Sequence, residues 1–140
     1  MVTKKYITYQ DIEQFIQDLI SYLDEHKIKP TGVYGIPRGG LFFALLLSYR
    51  LDIPMLLAPT EGCVVIDDIA DTGKTLAHFT KNETQFNKYF IATMFYNRNV
   101  SVVEPDFYWK EKLSDWICFP YEGSNAEIIA ELEKRKKEKK

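Results

Sequence analysis

Three carboxylates lie close together in the middle of the sequence, at Asp67, Asp68 and Asp71, and residues 72–75 add two hydroxyls and an ammonium group. The preceding residues 63–66 are all apolar, which predicts a parallel strand that is covered on both faces. Open α/β sheets bind their ligands beyond the carboxyl ends of such strands. A polar loop that opens a helix there suits a phosphate, because its backbone N–H groups can point at the anion. The acids can bind the hydroxyls of a sugar or a metal ion, and the loop beside them can bind a phosphate. Together they indicate a phosphorylated sugar as the ligand.

Two other interpretations explain less of this stretch. Residues 73–75 resemble the end of a P-loop, but that pattern needs a glycine five residues before Gly73, where this chain has Asp68. A carboxylate at that position would face the phosphates of a nucleotide. A strand followed by a capped helix, with Asp71 or Thr72 as the cap, needs one acid or hydroxyl and leaves the other acids unexplained.

The stretch also resembles the signature with which type I phosphoribosyltransferases bind 5-phosphoribosyl 1-diphosphate (PRPP): four apolar residues, two acids, two further residues, then Asp-Thr-Gly-Lys-Thr. The resemblance implies that Asp67 and Asp68 handle the ribose hydroxyls together with Mg²⁺. It also implies that residues 72–75 hold the 5′-phosphate and that Asp71 is the candidate general base, or partner, at N7 of a purine. The implied PRPP contacts in this stretch are Asp67, Asp68, Ile69, Ala70, Asp71, Thr72, Gly73, Lys74 and Thr75.

A second glycine-bearing loop follows a short strand candidate at residues 32–36 and precedes an apolar helix at residues 41–50. Its glycines let the backbone come close to a ligand, and Arg38 can bind a phosphate through two parallel hydrogen bonds. A plain strand-to-helix turn would use the glycines in the same way. The loop is similar to the Ser-Arg-Gly-Gly loop of bacterial xanthine-guanine phosphoribosyltransferases, and the resemblance implies that Arg38, Gly39 and Gly40 hold the pyrophosphate.

An aromatic-rich segment at residues 115–122 offers Trp116 as a flat surface for a base, and such stacking contributes about 1–3 kcal/mol per base. The segment resembles the Asp-Trp-Ile/Val-x-Phe-Pro-Trp-Glu tail of xanthine/hypoxanthine-type phosphoribosyltransferases, which implies that Trp116 stacks on the purine and that Ile117 meets its edge. Asn97 follows the fourth predicted strand, where the similar enzymes have a lysine that binds the 6-oxo group. An amide can donate to an oxo group or accept from an amino group, so both classes of base stay open.

Strands and helices alternate along the chain, which predicts an α/β fold with a mainly parallel sheet flanked by helices. A type I phosphoribosyltransferase-like core with a small C-terminal base-binding segment is expected, in a single domain over residues 1–140. Helices are expected at residues 8–26, 41–50 and 75–81 and from Gly123 onward, and strands at residues 32–36, 53–58, 63–66 and 89–96.

The composition is that of an ordinary globular protein, with 46% hydrophobic and 27% charged residues. The net charge of −2 implies no general affinity for nucleic acid, although residues 131–140 carry six Lys or Arg against three Glu. Cys63 and Cys118 lie in apolar runs, which predicts buried thiols rather than a disulfide and favours the cytoplasm. The N-terminus has no signal-peptide pattern, and the longest apolar run is too short to cross a bilayer.

Together these features predict a transferase that moves the 5-phosphoribosyl group from PRPP to a purine base, with Mg²⁺ as cofactor and a nucleoside monophosphate and pyrophosphate as products. A 6-oxopurine (xanthine, hypoxanthine or guanine) is the expected base, and a homodimer or higher homo-oligomer the expected assembly. Residues 51–73 contain no Lys or Arg, whereas the similar enzymes close a basic mobile loop from this region over PRPP. The alternative is a PRPP- or nucleotide-sensing module of the same fold, or a transferase for a different base.

Overall fold

The computed structural model describes residues 4–79, 88–123 and 133–138, which fall into two compact units. The larger unit is Ile12–Leu113, and the smaller combines the described parts of Met1–Asp11 and Ser114–Lys140. A single domain over the whole chain stays a prediction. In chain order the elements are β1 (Lys4–Tyr6), α1 (Tyr9–Glu25), β2 (Val33–Gly35), α2 (Gly40–Leu51), β3 (Val64–Ala70), α3 (Lys74–Ala77), β4 (Phe90–Tyr96), β5 (Phe107–Glu111) and β6 (Trp116–Cys118).

The larger unit is built on a four-stranded sheet in which every strand is parallel to its neighbours, in the order β2-β3-β4-β5. Val64, Val65 and Ile66 of β3 are completely buried, and six of the seven residues of β4 are buried. A strand without an exposed face is what a sheet covered on both sides requires. The predicted α/β fold with a mainly parallel sheet is confirmed.

Helix α1 supplies one apolar layer of the larger unit through a stripe at helical spacing, formed by the buried residues Ile12, Phe15, Ile16, Leu19 and Leu23. Phe15 contacts Phe43 of α2 edge-to-face, with ring centroids 5.6 Å apart, and stacks on Phe107 of β5 at 6.2 Å. The predicted capping box is present at the start of α1. The Thr8 backbone N–H donates to the Asp11 carboxylate at 2.9 Å, and the Asp11 N–H donates to the Thr8 hydroxyl at 3.1 Å.

Several predicted boundaries differ from the structure. The strand predicted at residues 53–58 is wrong, because only Met55 forms a bridge, to Val33. Pro54 has no N–H to donate, and the Ile53 N–H is bound to the carbonyl of Ser48 at the end of α2. The strand predicted to stop at residue 66 continues to Ala70, so the acid pair lies within β3.

Three further points concern β5, α3 and the predicted C-terminal helix. Strand β5 was not predicted, because its short sequence Phe-Tyr-Trp-Lys-Glu has no run of β-branched residues. Helix α3 begins at Lys74, and the predicted continuation beyond residue 79 lies outside the described residues. The same is true of residues 124–132 in the predicted C-terminal helix, while residues 133–138 are helical.

The smaller unit pairs β1 with β6 in parallel, with Lys4 opposite Trp116 and Tyr6 opposite Cys118. Both cysteines of the chain are free thiols; Cys63 in the larger unit is buried as predicted, whereas Cys118 in the smaller unit is only half-buried. Within the described part of the chain, no helix combines the length and the apolar character that crossing a membrane requires.

Candidate active site

The turn between β2 and α2 packs its glycine backbone directly against β3. A Cβ atom on Gly39 would lie 2.3 Å from Oδ2 of Asp68, and one on Gly40 would lie 2.3 Å from the carbonyl oxygen of Ile66. Real side chains do not approach so closely, so a larger residue at Gly39 would displace the carboxylate of Asp68 and one at Gly40 would displace the backbone of β3. The neighbouring Arg38 is exposed, and its guanidinium has no hydrogen-bond or ion-pair partner among the described residues. This cation is therefore available to an anionic ligand.

The acid pair on β3 is half-buried, and among the residues that the structure describes no cation forms an ion pair with either carboxylate. The Asp67 carboxylate accepts the backbone N–H of Asp68 at 2.8 Å, and the Asp68 carboxylate accepts that of Ile69 at 2.7 Å. Burial, followed by the adjacent negative charge of Asp68, raises the pKa of Asp67 to about 8. A cation bound next to Asp67 would favour its charged form and lower this pKa.

The chemistry of the pair fits Mg²⁺, which takes oxygen ligands and is bound in proteins through one or two carboxylates plus water and substrate oxygens. Asp67 and Asp68 provide two adjacent, half-buried carboxylates. No group of three or more metal-binding side chains occurs among residues 4–79, 88–123 and 133–138. The remaining ligands of a cation here would have to come from substrate and water.

Beyond the pair, the end of β3 and the start of α3 enclose a cleft of about 150 Å³. Binding sites for whole drug-sized ligands occupy about 300–1,000 Å³, so this cleft has room for one end of a ligand. Thr72, Lys74 and Thr75 are exposed, and the Thr72 hydroxyl accepts the backbone N–H of Lys74 at 3.4 Å. The cleft is lined by Asp67, Ile69, Ala70, Asp71, Thr72, Gly73, Thr75 and Leu76.

Contacts from residues 101–103 hold this loop in place, and the sequence did not indicate them. We call these contacts the brace. Gly73 has φ +77°, and a Cβ atom there would lie 2.5 Å from the hydroxyl oxygen of Ser101. The backbone N–H of Val102 donates to the carbonyl of Thr72 at 2.9 Å. Ser101 in turn donates its hydroxyl to the carbonyl of Val103 at 2.7 Å. The turn after β4 therefore fixes the conformation of the loop after β3. No local pattern in residues 101–103 predicts this contact between the two loops.

Asp71 lies at the open edge of the sheet and contacts two donors. The side-chain amide of Asn97 donates to Oδ1 of Asp71 at 3.0 Å, and Nζ of Lys112 lies 3.6 Å from Oδ2. The structure thus brings two predicted site residues, Asp71 and Asn97, into contact. Lys112, which the sequence does not single out, joins them from the position directly after β5.

Trp116 and Ile117, the residues predicted to contact the base, belong to the smaller unit. Trp116 is 62% exposed and Ile117 is buried, and both lie in the short strand β6. The exposed indole has a free face for a flat ligand, but the assignment of Trp116 and Ile117 to a base site stays a prediction.

Solved structures of other proteins share this architecture. A purine phosphoribosyltransferase from Pyrococcus horikoshii Ot3 is 28% identical over 86% of this chain and 95% of that chain, with a TM-score of 0.72. The chain has the fold of the type I phosphoribosyltransferases. The xanthine-guanine-hypoxanthine phosphoribosyltransferase of Helicobacter pylori is 18% identical over 94% of this chain and 99% of that chain, with a TM-score of 0.73. The resemblance read from the sequence is thereby confirmed.

A third similar fold comes from a hypothetical protein of Neisseria gonorrhoeae that was crystallised with bound ppGpp. It is 18% identical over 94% of this chain and 96% of that chain, with a TM-score of 0.69. No protein-family model matches the sequence, and no curated protein matches it. The phosphoribosyltransferase likeness therefore comes from the fold and from the motifs on its sheet edge.

Proposed function

We propose that the protein is an enzyme that transfers the 5-phosphoribosyl group of PRPP to a 6-oxopurine and releases pyrophosphate, with Mg²⁺ as cofactor. The observation that carries the proposal is one sheet edge with a half-buried acid pair at Asp67 and Asp68, a cleft beside residues 72–75, and the carboxylate of Asp71. The similar solved structures of purine phosphoribosyltransferases support it.

Each part of the edge has a defined task in this reaction. The loop at residues 72–75 binds the 5′-phosphate, and Arg38 with the backbone of Gly39 and Gly40 holds the pyrophosphate, so that C1 of the ribose is fixed between them. Asp67 and Asp68 hold the ribose hydroxyls and the cation. When bound, Mg²⁺ neutralises the negative charge that develops on the pyrophosphate.

The transfer itself exchanges one bond for another at C1. N9 of the purine forms a bond to C1 while the bond from C1 to the pyrophosphate oxygen breaks. The base loses a proton from N7, and the Asp71 carboxylate accepts it. Trp116 and Ile117 contribute the stacking surface and the edge contacts to the base in this proposal.

The test is pyrophosphate release from PRPP and Mg²⁺ with hypoxanthine, guanine, xanthine, adenine and pyrimidines offered one at a time. Release with at least one 6-oxopurine, but not with pyrimidines, is the expected result. No release with any base, in a protein that binds PRPP by calorimetry, would exclude the transferase. A homo-oligomer in the cytoplasm is part of the same proposal, and light scattering of the purified protein tests the assembly.

The second candidate is a nucleotide-sensing protein of the same fold. Two observations favour it: the Neisseria gonorrhoeae protein of similar fold binds ppGpp, and residues 51–73 lack the Lys or Arg of a basic lid. A sensor would bind ppGpp or PRPP and turn over neither. Calorimetry with ppGpp, run beside the pyrophosphate assay, therefore separates the two candidates.

A further inference from the structure

Among the residues that the structure describes, one buried polar side chain of the larger sheet has no hydrogen-bond partner. Thr93 lies in the middle of β4 and is completely buried. Its hydroxyl oxygen is closed off from solvent and bonds to no described residue. An unpaired hydroxyl in the interior lowers stability, whereas a valine of the same shape does not carry this cost. Packing alone therefore gives no reason for a threonine at this position.

The strand pairing places Thr93 beside the acid pair. Thr93 is in register with Asp67 of β3 on one side and with Tyr108 of β5 on the other. Residues in register on neighbouring parallel strands point to the same face of the sheet, and the strands lie about 4.8 Å apart. At that separation a hydroxyl and a carboxylate reach hydrogen-bond distance by rotation of their side chains. The carboxylate of Asp67 is therefore within reach of the Thr93 hydroxyl.

The other neighbours of Thr93 on this face do not serve as its partner. The residues two positions away along β4 are apolar and buried, Ile91 and Phe95. The hydroxyl of Tyr108 stands at the far end of its ring and already accepts a hydrogen bond from Arg98 at 2.8 Å. Among the side chains that flank Thr93 along its strand and across it, the acceptor that remains is the carboxylate of Asp67.

Asp67 links this buried hydroxyl to the cleft after β3. The residue lines the cleft of about 150 Å³, and its Oδ1 accepts the backbone N–H of Asp68 at 2.8 Å. A carboxylate has two oxygens and about four lone-pair sites, so it can accept a further donor while it faces a ligand. The side chain of Asp67 thus has a ligand-sized space on one side and an unpaired donor on the neighbouring strand.

We propose that Thr93 is a positioning residue for Asp67, and that its hydroxyl donates to the carboxylate when Asp67 engages PRPP or the cation bound with it. This inference rests on the proposed function and deepens it. A hydrogen bond that forms only in the complex strengthens binding, because the unpaired hydroxyl destabilises the free protein and not the bound one. Thr93 touches neither the ribose nor the phosphates in this proposal and acts through Asp67.

Two substitutions separate the hydroxyl of Thr93 from its methyl group. Thr93→Val keeps the shape and removes the donor, whereas Thr93→Ser keeps the donor and removes the methyl. In urea unfolding of the free protein, Thr93→Val should be at least as stable as the wild type, because an unpaired polar group is gone. Thr93→Ser should be less stable, because it leaves a small cavity.

Calorimetry with PRPP and Mg²⁺ should rank the same proteins in the opposite order. Thr93→Ser should bind within about threefold of the wild type, and Thr93→Val about tenfold or more weakly, since it lacks a hydrogen bond to a charged group. A residue that only fills space would give one ranking in both measurements. Affinity in Thr93→Val equal to that of the wild type, or an equal loss in Thr93→Ser, would overturn the proposal.

The matched control is Met94→Leu. Met94 is the next residue of β4, is completely buried and points to the other face of the sheet, so the variant should keep the PRPP affinity of the wild type. The partner of the hydroxyl is tested in an Asp67→Ala background, where Thr93→Val should cause no further loss of affinity. Additive losses would mean that the hydroxyl does not act through Asp67.

The fate of the transferase is decided separately. If the wild type binds PRPP but releases no pyrophosphate with any base, the transferase fails, and the affinity ranking of the Thr93 variants still decides the positioning role. If pyrophosphate is released and Thr93→Val binds PRPP as the wild type does, the positioning role fails and the transferase stands. A wild type that does not bind PRPP would overturn both.

Discussion

Asp67 and Asp71 stand four residues apart on one chain segment, and their surroundings are opposite. Asp67 is buried beside the like charge of Asp68, and its pKa is raised to about 8. Asp71 is half-exposed and already has an amide and an ammonium beside it. A half-buried pair of acids suits a cation that arrives with its ligand, whereas a carboxylate with its donors in place suits proton transfer and orientation. In the proposed reaction, two identical side chains four residues apart would therefore serve two different steps.

The largest effect is expected from Asp71→Asn. If Asp71 accepts the proton from the base, the variant should lose about 10²–10⁴-fold in turnover, while PRPP binding measured by calorimetry stays close to that of the wild type. Asp52→Asn is the matched control. Asp52 is an exposed acid at the end of α2 with φ +52°, a conformation that asparagine tolerates. If Asp71→Asn keeps the full turnover of the wild type, Asp71 does not accept the proton, and the proposed difference in role between Asp67 and Asp71 is wrong.

The next largest effect is expected from Gly39→Ala, which places a methyl group against the acid pair. The added Cβ would meet Oδ2 of Asp68 at 2.3 Å, and such overpacking costs about 1–3 kcal/mol in the free energy of unfolding. PRPP binding in the presence of Mg²⁺ should weaken as well, because Asp68 must move. Urea unfolding of Gly39→Ala with and without Asp68→Ala is the control. The second substitution should restore part of the stability, and additive losses would contradict the contact.

The raised pKa of Asp67 predicts how stability depends on pH in metal-free protein. Between about pH 4 and pH 8 the folded state keeps a proton on Asp67 that the unfolded state has lost, so stability falls as the pH rises through this range. Asp67→Asn cannot ionise and should be more stable than the wild type at pH 8, by about 1 kcal/mol or more, with the difference shrinking toward pH 4. Thermal unfolding across this range measures it, and parallel curves for the two proteins would refute the buried-acid assignment.

The smallest of these effects is expected from Asn97→Ala. The substitution removes one hydrogen bond to Asp71, so the free energy of unfolding should fall by about 1 kcal/mol. Turnover should fall much less than in Asp71→Asn, because the carboxylate and Lys112 remain. A double-mutant cycle between Asn97→Ala and Asp71→Ala, measured by urea unfolding, gives the coupling free energy between the two side chains. A coupling near zero would mean that the amide does not support Asp71.

The fold and the acid-bearing edge were predictable because their signals are local. The apolar, β-branched run at residues 63–66 indicated a buried parallel strand, and the acids, the glycines and the hydroxyls after it indicated a ligand. The second loop was predictable for the same reason, since Arg38, Gly39 and Gly40 follow a short apolar segment. The boundary errors at residues 53–58 and 67–70 arose where pairing with other strands, rather than local pattern, decides the outcome.

The contacts of Asp71 could not be predicted, because they depend on the stagger of three strands. Lys112 belongs to a charged run in the sequence, and β5 carries no strand pattern that would place it on the sheet. The brace from Ser101 and Val102 depends in the same way on a meeting of two loops distant in sequence. Strand register and contacts between loops depend on residues that are distant in sequence. The chemistry of a motif depends on consecutive residues, so it can be predicted from the sequence.

The brace on Gly73 also bears on the kinetics of binding. Residues 72–75 are tied to the turn after β4 by the bond from Val102 to Thr72, so their conformational entropy is lost during folding rather than when a phosphate arrives. If these residues bind the 5′-phosphate as proposed, the site needs no ordering step, and its association rate is governed by diffusion and charge rather than by loop closure. In that proposal the free energy of phosphate binding would not be reduced by the cost of ordering this loop.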